Sequence, residues 1–69
     1  MKRNEFGRVI AVTQREFDEM STIISQTADD KQIVEKFNQY ILENGWKLHK
    51  YDVISLIADV MDGRMKIRK

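Results

Sequence analysis

The sequence predicts an all-α or mainly α protein. We expect a small three-helix bundle with helices at about 13–26, 29–44 and 50–62, and short extended segments at 8–12 and 64–68 that can pair as strands. Three observations carry this prediction. The stretch Tyr51–Met61 places polar residues at 52, 55 and 59, spacings of three and four that exclude a strand, and its apolar residues cover roughly 220° of a helical circumference. The residues Thr13-Gln14-Arg15-Glu16 form a capping box that starts a helix at Thr13. Ile33, Val34, Phe37, Tyr40 and Ile41 make an amphipathic stripe of about 120° that ends at Gly45.

Taken in order, residues 6–12 admit two readings. Phe6, Ile10, Thr13, Phe17, Met20 and Ile24 keep a three-four spacing that would extend the first helix backwards. Phe6-Gly7-Arg8-Val9-Ile10-Ala11-Val12 is rich in β-branched residues and carries a glycine, which favours a strand. The Thr13 box favours the strand over the longer helix, and Val12 with Phe17 can staple the turn. In helix one, Phe17, Met20, Ile23 and Ile24 share a stripe. Asp29 and Asp30 open helix two at its positive end. Trp46, after Gly45, sits where a Schellman motif folds an apolar side chain back onto Ile41. Leu48 and Val53 can staple helix three, and Gly63 stops it.

Composition bounds the function. The 69 residues form one domain, whose small core supplies ~3–5 kcal/mol of net stability unless something is added. There is no cysteine and one histidine, so disulfides and a Cys/His zinc site are excluded, and association with another chain is the remaining addition. The net charge of +1, from 12 basic and 11 acidic residues, fits neither a polyanion mimic nor a strongly basic nucleic-acid binder. Met1-Lys2-Arg3 is followed by Asn4 and Glu5 rather than an apolar run, and no stretch of ~18 apolar residues occurs. The expectation is a cytoplasmic protein with no membrane partner.

Enzyme chemistry has little to work with, and the expectation is a protein that is not an enzyme and takes no cofactor. His49, between Leu48 and Lys50, has no acid–base partner nearby in sequence, and no nucleophile motif or glycine-rich phosphate loop appears. Asp52, Asp59 and Asp62 share a helical stripe. Asp52 and Asp59 are nevertheless ~10 Å apart along the axis, too far to share one ion, so no metal site is expected. A helix-turn-helix around Gly45 would present only Asp and Ser from helix three, and the carboxylates repel phosphate.

Five cations are candidates for binding phosphates or an acidic partner: Arg8, Arg64, Lys66, Arg68 and Lys69, joined by Lys2 and Arg3 if the two ends meet. Trp46 is a candidate interface residue, although its spacing also suits the contact with Ile41. Helix three has more apolar surface than helices one and two can cover while burying their own stripes. Its surplus is expected around Leu56 and Val60, either as a subunit interface or under the strand at 9–12. On that expectation, Leu56→Asp would split a homodimer without unfolding it.

The elements Arg8-Val9-Ile10-Ala11-Val12, the cap Thr13, Phe17 and Met20, and Ile33-Val34 with Phe37 resemble the ribbon–helix–helix DNA-binding proteins over residues 8–45. The resemblance implies a dimer whose strands pair and enter the major groove, with Arg8 reaching a base edge or a phosphate. Two features depart from that pattern. The turn Gln26-Thr27-Ala28-Asp29 has no glycine, and the strand lacks an alternating polar face. The residues themselves favour a non-catalytic module that binds a larger protein and modulates it, a regulator or inhibitor of bacterial or phage type. A ribbon–helix–helix-like dimeric transcriptional regulator is the alternative.

Overall fold

Asn4 starts the architecture. In the computed structural model, which describes residues 1–68, the Asn4 amide donates to the Arg8 carbonyl at 2.9 Å, and its Oδ1 accepts from the amides of Phe6 and Arg8, both at 3.0 Å. Gly7 closes the turn at φ 88°, a left-handed conformation that costs a residue with a Cβ ~1–2 kcal/mol. This turn folds β1 (Lys2–Arg3) antiparallel onto β2 (Val9–Thr13). Three helices follow, α1 (Gln14–Gln26), α2 (Asp30–Glu43) and α3 (Lys50–Met61), and then β3 (Lys66–Arg68) returns parallel to β2. The sheet order is β1-β2-β3, with β2 in the middle.

This corrects the predicted fold class. The protein is not an all-α bundle with loosely paired ends, because a three-stranded mixed sheet forms part of its core. Val9, Val12 and Met65 are buried in one cluster with Met20, Phe37, Ile41, Val53, Leu56 and Val60. Each such side chain gains ~1.5–3 kcal/mol on leaving water. α1 packs on α2, α3, β2 and β3 together, so it joins the helices to the sheet.

A bulge explains how Val9 and Val12, three residues apart in a strand, can both reach the interior. Lys2 lies opposite Ala11 and Arg3 opposite Val9, so one step on β1 spans two on β2 and Ile10 is the extra residue. Val12 returns to the core, while Ile10 and Ala11 both border the outer face.

The helix ends follow from their caps. The Glu16 amide donates to Thr13 Oγ1 at 3.1 Å, and the Thr13 amide donates to Glu16 Oε1 at 2.8 Å, completing the capping box. Asp29 Oδ1 accepts from the Lys31 amide at 2.9 Å. Beyond α2 the Trp46 amide donates to the Ile41 carbonyl at 2.9 Å and the Gly45 amide to Leu42 at 3.0 Å, the bond pair of a Schellman motif. α3 ends the same way, with Arg64 donating to Asp59 at 2.9 Å and Gly63 to Val60 at 3.3 Å. Among the described residues no helix is long and apolar enough to cross a membrane.

Candidate interaction surfaces

The candidate residues from the sequence do not form one patch. Arg8 and Arg64 converge on the C-terminal turn of α3. Arg8 Nη2 is 3.2 Å from Asp59 Oδ2, and Arg64 Nη2 is 3.5 Å from Asp59 Oδ1 and 3.0 Å from Asp62 Oδ2. Asp59 thus holds two guanidiniums, and part of the α3 carboxylate stripe serves as an ion-pair acceptor. Lys66 and Arg68 lie elsewhere, on the outer face of the sheet beside Lys2. Lys69 lies outside the described residues.

The apolar candidates also separate. Trp46 is half-buried and packs against the core beside the Schellman turn. Leu56 and Val60 are only 1% and 5% exposed within the single chain. Of the two places expected for the surplus of α3 they take the one under the strand, because Val9, Val12 and Met65 complete the cluster in which they sit. The apolar residues that α3 presents to solvent are Tyr51, Ile54 and Met61, at 71%, 43% and 58% exposure. Ile54 and Met61 border a groove between α2 and α3 of about 260 Å³, with Ile33, Val34, Ile57 and Ala58; Asp30 is its one ionisable lining residue.

Two further features escaped sequence reasoning. Phe6 stands exposed at the tip of the β1–β2 turn, held there by the Asn4 bonds on either side of it. The signal was the spacing Asn4…Gly7, an asparagine-initiated turn closed by glycine. Tyr40 is buried with its hydroxyl unpartnered among the described residues. Burial first, then the nearby charges of Glu19 and Glu16, push its pKa up to about 12, with Arg15 acting the other way.

His49 has a structural role. Its Nδ1 accepts the Tyr51 amide at 3.4 Å as the cap of α3, and its ring stacks on Tyr51 with centroids 5.4 Å apart. At the start of α1, burial raises the Glu16 carboxyl, but the Thr13 amide and the Met1 amino group outweigh it and hold the carboxyl below its ordinary value. No protein-family model, curated protein or solved structure matches this chain.

Proposed function

We propose that this chain is a non-catalytic interaction module that seats an apolar element of a larger protein in the α2/α3 groove and so modulates that protein. The observation that carries this reading is the groove itself. It is an apolar-lined hollow of about 260 Å³, bordered by two large side chains, Ile54 and Met61, that the fold leaves in water. Exposed apolar surface of this kind, with a charged residue at its rim, is what helix-in-groove recognition uses. A homodimer would use the same face.

The DNA-binding alternative draws less support from the arrangement. A ribbon–helix–helix dimer pairs its strands between subunits, whereas both edges of β2 are occupied, by β1 and by β3. Arg8 and Arg64 are already held by Asp59, so recruiting them to phosphate would break their ion pairs.

The test is affinity capture from a host lysate with the wild-type chain and a Met61→Asp variant as parallel baits. The expected result is a protein retained by the first and lost by the second, with both baits equally folded by circular dichroism. Tight, salt-dependent binding of duplex DNA with no specific protein retained would reverse the ranking.

A further inference from the structure

The outer face of the sheet carries cations that the fold does not neutralise. Lys2, Lys66 and Arg68 border a shallow depression of about 220 Å³, with Ile10 and Ala11 as its apolar part. The strand register builds it. Lys2 lies opposite Ala11 and Ala11 opposite Lys66, so these three form one row across the sheet. Arg68, opposite Thr13, stands two residues further along the same face of β3. Arg8, Arg15 and Arg64 are each paired with a carboxylate, whereas Lys2, Lys66 and Arg68 have no such partner among the described residues.

The chemistry of this face selects its occupant. No aromatic side chain borders the depression, so it offers no platform on which a nucleobase could stack. Lys66 and Arg68 are separated by two residues of strand, ~6.4–6.8 Å, which matches alternate residues of another extended chain. Among the described residues β3 is an outer strand that pairs with β2 alone, so its second edge carries no strand.

We infer that β3 receives an extended acidic segment of a protein, added as a fourth strand. Alternate carboxylates of that segment meet Lys66 and Arg68, and the residues between them face the opposite side of the extended sheet. Backbone pairing supplies affinity and the two cations select for acidic residues at every second position. This surface shares no residue with the α2/α3 groove, so it stands independently of the reading given for that groove.

The probe is a synthetic peptide of alternating Glu and Val, compared with a peptide of the same composition in two blocks, with a Lys-Val peptide, and with duplex and single-stranded oligonucleotides. Amide chemical shifts of the labelled protein should move at Lys66, Ile67 and Arg68 with the alternating peptide, and more weakly with the block peptide. The double variant Lys66→Glu, Arg68→Glu should weaken binding roughly tenfold, the scale of two exposed ion pairs lost and reversed, while Met61→Asp should leave it unchanged. If the double variant fails to fold, a salt titration of the wild-type complex reads the same charge contacts. No shifts at millimolar peptide, equal affinity for the Lys-Val peptide, or tighter binding of either oligonucleotide would each overturn the proposal, the last by assigning the face to phosphate.

Discussion

Both sides of α3 carry large apolar side chains, and their fates are opposite. Val53, Leu56, Ile57 and Val60 are buried, while Tyr51, Ile54 and Met61, within the same 12-residue helix, are exposed. Side-chain chemistry does not separate the two sets. Topology does, because one side turns toward a core completed by Val9, Val12 and Met65, and the other borders an open groove with α2. An apolar residue's contribution to stability is therefore a property of the neighbours that the chain path brings to it. What is left over becomes available for binding.

The sharpest way to break this comparison is to place the same charge on each side. Leu56→Asp removes a fully packed side chain and leaves a carboxylate without a partner in the core, a loss of more than ~4 kcal/mol. That equals or exceeds the ~3–5 kcal/mol available to a domain of this size, so circular dichroism should show an unfolded chain rather than the folded monomer that a dimer-interface role would leave. A folded Leu56→Asp variant would show that the inner side is not core.

A smaller effect sharpens the inner side. Tyr40→Phe removes a buried hydroxyl that has no partner among the described residues, and should raise stability by ~1 kcal/mol in urea unfolding. The wild type should also lose stability as pH rises from about 10 to about 12. In that window the unfolded chain has released the Tyr40 proton while the folded chain still holds it, so ionisation favours unfolding. The variant should lack this contribution.

Asp59→Asn tests the flank where Arg8 and Arg64 meet α3. Both guanidiniums are largely exposed, so the loss should be no more than ~1 kcal/mol. Freed Arg8 should strengthen low-salt binding to duplex DNA, read by gel shift, while Arg64 stays paired with Asp62. The smallest expected change is on the outer side. Met61→Asp should alter stability by less than ~0.5 kcal/mol in the same urea experiment and still abolish partner capture.

Local chemistry was legible in the sequence, and long-range pairing was not. The Thr13–Glu16 box and the Gly45–Trp46 turn each depend on residues within a few positions of one another, and each forms as read. β1 could not be read as a strand, because Lys2 and Arg3 are charged, only two residues long, and extended only through pairing with β2. The Ile10 bulge hid the alternation of β2, since a strand that shifts register midway loses the period of two. The apolar excess of α3 was visible, but not which side of it stayed open. Leu56 and Val60 read equally as a subunit interface or as surface under the strand at 9–12, because the sheet that completes their core has no periodic signature. The basic candidates were read as a single group, and only the fold separates Arg8 and Arg64, held by Asp59, from Lys66 and Arg68 on the sheet.

The parallel alignment of β2 with β3 has a kinetic consequence. The β1–β2 turn and the three helices can form from neighbouring residues. Thr13 meets Arg68 only after all three helices have been threaded between them, and Arg8 reaches Asp59 across 51 positions. The entropy of closing so large a loop is lost before its contacts give anything back. The registration of β3 against Ala11–Thr13 is accordingly the late step in folding, and the first pairing to open when the native state fluctuates. Substitutions at β3 should then show mainly in the unfolding rate, and those at the Thr13 cap, whose bonds reach only to Glu16, in the rate of folding.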